Sequence, residues 1–231
     1  MVFLPGLLGD EHSFQRVAAL LADHGVTSVR TAYPWRTFTL HAYAHDLLAR
    51  LPHDPVVLVG TSMGGYLAQL LATLAPVRVQ GLVLVNTFAS AAEVMGRVRW
   101  LVQAPWLPGG WLKNQVRKGL TPAHFGHDPV VEAQVLDVLE RLPARALRAR
   151  LRALARQGTL PPHPDRVPAV VCFSQGDPTV SGAQRMALLK RVNPLYVYEF
   201  SAGGHFPYLA QPARFHDVLL TALQHLTGAA H

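Results

Sequence analysis

Ser62 stands in the turn Gly60-Thr61-Ser62-Met63-Gly64-Gly65, with a glycine two places before it and glycines two and three places after it. Ahead of the turn runs Val56-Val57-Leu58-Val59, an unbroken apolar stretch that reads as a strand buried on both faces. Behind it, Tyr66 to Leu74 is rich in helix formers. A serine at such a break has the G-x-S-x-G pattern of a nucleophile elbow. Glycines clear the sides of a strained turn, the strain projects the hydroxyl out of the sheet, and the helix N-terminus favours developing negative charge. The turn has neither G-x-G-x-x-G spacing nor a following G-K-[ST], so it does not match a nucleotide-phosphate loop.

A serine nucleophile needs a base, and the base needs a carboxylate to orient it. Ser174-Gln175-Gly176-Asp177-Pro178 follows an apolar run and offers Asp177, whereas Asn86-Thr87-Phe88, after the preceding run, offers no carboxylate. His205 lies in the glycine-rich loop Ser201-Ala202-Gly203-Gly204-His205-Phe206-Pro207. Taken alone, Asp177 could be a helix-capping turn residue and His205 an ordinary loop histidine. The ordered set Ser62, Asp177, His205 is far more specific than any member. An oxyanion hole then calls for two backbone N–H groups, assigned to Met63, directly after the serine, and Leu7, in the loop Gly6-Leu7-Leu8. His41 and His45 share a helix face, but no H-E-x-x-H pattern or third ligand accompanies them, so neither a metal nor any organic cofactor is expected.

The elements that must position these groups alternate. Strands are predicted at residues 1–5, 26–32, 56–59, 81–86, 167–174 and 195–200, and helices at about 13–24, 39–51, 66–74, 181–192 and 212–227. This rhythm predicts an α/β fold with a mainly parallel sheet covered on both faces. It breaks between Phe88 and Asp165, where helical patterning replaces strands, so residues 1–87 and 166–231 read as the core and residues 88–165 as a helical cap insertion. Trp100, Trp106 and Trp111 cluster there among prolines and glycines; Trp100 and Trp106, with Phe206 beside the histidine, are the expected substrate-binding residues.

The 231 residues carry a net charge of +7, but the excess is local. Between Arg97 and Arg156 there are eleven basic and four acidic residues, while the rest of the chain balances. Arg141, Arg145, Arg148, Arg152 and Arg156 recur at helical spacing opposite Leu147, Leu151 and Leu154, which predicts a solvated arginine face on an amphipathic helix. Peripheral contact with an anionic surface stays open, but nothing resembles a nucleic-acid-binding motif. No apolar run reaches membrane-span length, the N-terminus lacks signal-peptide character, and Cys172 is the single cysteine, which together point to a cytoplasmic protein.

Over its whole length the sequence resembles the α/β-hydrolases, most closely the maspardin branch. The residues that carry the resemblance are Leu4-Pro5-Gly6, Tyr33-Pro34, Gly64 to Gln69, Leu84 to Phe88 and above all Gly203-Gly204-His205-Phe206-Pro207-Tyr208-Leu209. The resemblance implies an eight-stranded sheet with a helical cap over the serine. The two usual first strands are absent here, which leaves about six parallel strands. Residues 26–32 should then form a sheet edge, covered by a partner subunit in a homo-oligomer or by sequence upstream of Met1. Maspardin, regarded as an interaction protein, has asparagine where this chain has His205, a departure that favours catalysis. The expected activity is a serine hydrolase, of the carboxylic-ester hydrolase type, acting on a small-molecule ester with an apolar acyl or aromatic group. A non-catalytic binding protein, and a lyase or cofactor-free peroxidase on the same fold, are the alternatives.

Overall fold

A computed structural model describes residues 1–96, 102–103 and 108–228. Its centre is a six-stranded, wholly parallel sheet: β1 (Val2–Leu4), β2 (Val29–Arg30), β3 (Val56–Thr61), β4 (Val79–Val85), β5 (Ala169–Ser174) and β6 (Tyr196–Phe200), in the order β2-β1-β3-β4-β5-β6. The central strands are apolar on both faces, as parallel strands under helices must be; Leu82, Val83, Leu84 and Val85 are all fully buried. Helices α1 (Gln15–Asp23), α2 (Leu40–Arg50) and α3 (Met63–Leu74) alternate with the first strands. Thr39 caps α2, its hydroxyl accepting from the Ala42 N–H at 3.1 Å.

The edge strand is shorter than the 26–32 stretch the sequence predicts. Only Val29 and Arg30 pair, both exposed, because β1 supplies just three residues and, among the described residues, no strand lies beyond. A two-residue edge bearing an arginine is a poor template for further pairing.

Between β4 and β5 the described residues form α4 (Ala91–Met95), α5 (Gly109–Gly119), a 3₁₀ turn (Pro122–Phe125), α6 (Pro129–Arg141) and α7 (Ala144–Ala155). The two ends of this insertion meet in an antiparallel bridge, Ser90 to Thr159. Beside it the Tyr66 hydroxyl donates to the Gly158 carbonyl and the Gln69 side chain to that of Phe88. Beyond β5, α8 (Gly182–Val192) precedes β6, and α9 (Pro207–Ala210) and α10 (Pro212–Thr227) close the chain.

One face of α7 is less solvated than its arginine spacing predicts. Leu147, Leu151 and Leu154 are buried as expected, and Arg141, Arg145 and Arg156 are exposed. Arg148 and Arg152 are half-buried, however, with Arg152 donating to the carbonyls of Val102 and Gln103. Arg150, off that stripe, is wholly internal.

Asn86 ties the strand ends together. Its Nδ2 donates to the Ser174 Oγ at 3.1 Å and the Gly204 carbonyl at 3.0 Å, and its Oδ1 accepts from the Ser174 N–H at 2.9 Å. Replacing Asn86 with alanine strands these buried groups. It should cost roughly 2–3 kcal/mol, or a fall of about 5–10 °C in melting temperature by circular dichroism. An unchanged melting temperature would show that other contacts hold these ends.

Candidate active site

Strand order reverses between β1 and β3, so the loops after these two strands diverge and leave a crevice at their carboxyl ends, where open parallel sheets bind ligands. Both loops carry predicted site residues. Ser62 follows β3 with φ 52° and ψ −120°, a strained conformation for a residue with a side chain. It is held there by its own N–H donating to the Val85 carbonyl and by the Thr87 hydroxyl donating to the Ser62 carbonyl. Gly64 is required by close approach, since a Cβ there would overlap the Leu4 carbonyl of β1.

The loop after β1 is a closed turn in which the Gly9 N–H donates to the Gly6 carbonyl at 3.0 Å. Gly6 lies against Ser62, close enough that an added Cβ would be 3.3 Å from the serine Cβ. Among the described residues, the N–H groups of Leu7 and Met63 have no hydrogen-bond acceptor. Leu7 and Ser62 both line a cavity of about 240 Å³, and Met63 begins α3 beside them.

Asp177 and His205 are brought together from the ends of β5 and β6. His205 Nδ1 lies 3.0 Å and 3.1 Å from the two carboxylate oxygens of Asp177. A carboxylate can only accept, so Nδ1 carries the proton and Nε2 keeps a free lone pair. Burial alone would raise the Asp177 carboxyl, but the His205 ring and the Thr179 N–H, donating at 2.8 Å, outweigh it and hold the carboxyl below the usual range. Ser62 and His205 face the same cavity; no hydrogen bond joins the serine hydroxyl to the ring among the described residues. Such contacts are often long before substrate binds.

The cavity walls are mainly apolar. Leu8 comes from the turn after β1 and Phe88 from just after β4, and Met95, Val116, Leu120 and Leu154 come from the helical segment between β4 and β5. Of the residues expected to bind substrate, Phe206 lines this cavity and stands edge-on to the His205 ring, with centroids 5.3 Å apart. Trp100 and Trp106 lie outside the described residues. Trp111 is 40 % exposed and does not line the cavity. A larger cavity, about 420 Å³, shares Leu8, Gly9, Phe206 and Tyr208 with it but contains neither Ser62 nor His205.

Two residues at the site were missed by sequence reasoning. His124, on the 3₁₀ turn, lines the cavity. The Thr121 N–H donates to its Nδ1 at 3.0 Å, which places the ring proton on Nε2. Burial first, then the neighbouring His205, lowers its pKa and favours the neutral ring. Its carbonyl accepts from the His205 N–H at 2.7 Å. Arg150 is the other, donating to carbonyls of the turn after β1. No spacing signal marks either residue, because each reaches the site only through the docking of the insertion. Among the described residues, no group of three or more His, Cys, Asp or Glu could hold a metal, and no helix is long and apolar enough to cross a membrane.

Comparison with known proteins agrees with this architecture. The model of the alpha/beta hydrolase family matches residues 1–218. Maspardin of Pongo abelii is 27% identical over 224 residues, covering 92% of this chain and 71% of that protein. The enol-lactonase from Burkholderia xenovorans superposes with a TM-score of 0.77 at 20% identity, over 96% of this chain and 90% of that one. A thermophilic esterase from Thermogutta terrifontis gives 0.73 at 22% identity, over 98% and 89%.

The depressed Asp177 carboxyl has a sign that can be checked. A carboxylate favoured by the fold stabilises it above the unfolded pKa of about 3.9, and that contribution disappears as pH falls through the lower folded value. The melting-temperature gap between wild type and Asp177→Asn should therefore be full near neutrality and shrink below about pH 4. A gap that stays constant from pH 7 to pH 3 would show that Asp177 is not held as a favoured carboxylate.

Proposed function

The chain belongs to the alpha/beta hydrolase family, and from that premise we propose that it is a serine hydrolase of the esterase type. The observation that carries the reading is the His205–Asp177 pair, which leaves His205 Nε2 as a lone-pair base in the cavity that also holds Ser62.

In this mechanism Nε2 removes the proton from Ser62 as Oγ attacks the acyl carbon of an ester, and the carbonyl π pair moves onto oxygen. The N–H groups of Leu7 and Met63 receive that oxyanion. The oxyanion collapses, the acyl–oxygen bond breaks, and His205 delivers its proton to the departing alkoxide, releasing the alcohol. Water then loses a proton to Nε2 and attacks the acyl-serine, and the proton returns to Ser62 as the carboxylic acid leaves. Asp177 holds the imidazole in its tautomer and stabilises the imidazolium. The apolar wall suits a small apolar acyl or aromatic group, and the His124 Nε2–H is a neutral donor for a substrate oxygen. The mechanism uses no metal or organic cofactor, and the reading places the reaction in the cytoplasm.

The similarity to maspardin favours a second reading, a non-catalytic binding protein. Turnover of p-nitrophenyl butyrate and labelling by a fluorophosphonate separate the two. On the hydrolase reading, wild type is labelled at Ser62. Ser62→Ala and His205→Asn then each lose about four powers of ten or more in kcat while melting as folded proteins. A wild type that hydrolyses nothing and resists the label transfers the case to the binding protein.

A further inference from the structure

Arg150 is the largest fully buried side chain described, with 1% of its surface exposed. It comes from α7 of the insertion, yet it serves the turn after β1. One nitrogen, Nη1, donates to the Leu7 carbonyl and to the Gly9 carbonyl, each at 2.8 Å. The guanidinium carbon lies 5.2 Å from the ring centroid of Tyr33, whose hydroxyl donates to the Pro5 carbonyl at 2.8 Å. With the Gly9 N–H on the Gly6 carbonyl, the carbonyls of Pro5, Gly6, Leu7 and Gly9 all have donors. Turning these oxygens toward fixed partners frees the N–H edge of the turn for the cavity.

The charge is as unusual as the geometry. Among the described residues no carboxylate reaches Arg150 within ion-pair distance, and its Nε has no partner. Asp10 and Glu11 act on it only through space. A buried guanidinium without a counter-ion is costly, and an anchor for the insertion could have been built from apolar side chains. A guanidinium stays protonated, so the positive charge persists behind the peptide groups of the turn.

We propose that Arg150 is a positioning residue for the oxyanion hole, holding the turn so that the Leu7 N–H faces the cavity and placing behind it a positive charge with no ion-pair partner among the described residues. The proposal rests on the hydrolase reading. It makes the insertion part of the chemical step: the core supplies Leu7, and the insertion sets its direction. Without Arg150 the Leu7 and Gly9 carbonyls are left without that donor, and the turn rotates toward water to satisfy them. The oxyanion feels that rotation directly, whereas Phe88, Met95, Val116 and Leu120 of the apolar wall do not lie on the turn.

The test compares wild type with Arg150→Met, which keeps much of the length and loses the charge and both donors. Substrate turnover is read with p-nitrophenyl butyrate. Oxyanion binding is read with an aryl trifluoromethyl ketone, which adds to the serine as a hemiketal oxyanion, and ground-state binding with the corresponding methyl ketone. Arg150→Met should lower kcat by about 10- to 100-fold, with KM within about threefold, and weaken the trifluoromethyl ketone by a similar factor. The methyl ketone should be unaffected, and Arg150→Lys, which keeps the charge, should recover part of the loss. A folded Arg150→Met protein with wild-type kcat and wild-type affinity for the trifluoromethyl ketone overturns the proposal and leaves the hydrolase reading standing. A wild type that neither turns over the ester nor binds that ketone overturns both. If Arg150→Met does not fold, Arg150→Lys takes the same readouts. A parallel loss in kcat and trifluoromethyl ketone affinity supports the role, and a lowered melting temperature with both unchanged overturns it.

Discussion

A single buried amide decides how the carboxyl edge of the sheet is organised. Asn86 directly follows β4 with φ 42°, a left-handed conformation that asparagine tolerates better than most residues. From there its side chain reaches the end of β5 at Ser174 and the loop after β6 at Gly204. Ser174 is three residues before Asp177 and Gly204 is adjacent to His205. The His205–Asp177 contact therefore depends on an amide that hydrogen-bonds to neighbours of the pair, Ser174 and Gly204. An apolar residue at position 86 would leave both loops to find their own separation, and polar groups in this dry interior would go unpaired.

Much of this arrangement was legible in the sequence because local rules point the same way. The apolar runs of β3, β4 and β5, the glycines around Ser62 and the cap at Thr39 each report their own structure without reference to distant residues. The parallel sheet followed from the alternation of strands and helices, and its edge at β2 from the resemblance to the α/β-hydrolases. Of the predicted strand 26–32 only Val29 and Arg30 pair, because β1 has just three residues to pair with.

The insertion was less legible for a physical reason. Periodicity separates a leucine face from an arginine face, but a long cationic side chain can run along apolar surface and turn inward. Arg150 lies between Arg148 and Arg152 in the chain, and only the docked helix shows that it points at carbonyls of a turn 141 residues away in sequence. His124 gave no signal for the same reason. Its ring is oriented by Thr121, three residues before it, but its place in the cavity comes from tertiary packing.

The glycines before His205 have a strict steric role in the fold. A Cβ on Gly204 would run into the carbonyls of Ala123 and His124 and the N–H of Gly126, so two backbones touch here with no room for a side chain between them. The His205 N–H seals that contact on the carbonyl of His124. The insertion is consequently not an interchangeable module. A segment transplanted from another protein of the same architecture would have to reproduce the backbone course of residues 123–126 to within the clearance of one missing methyl group. Side chains such as Met95, Val116 and Leu120, which line the cavity away from that backbone contact, can by contrast change without disturbing it.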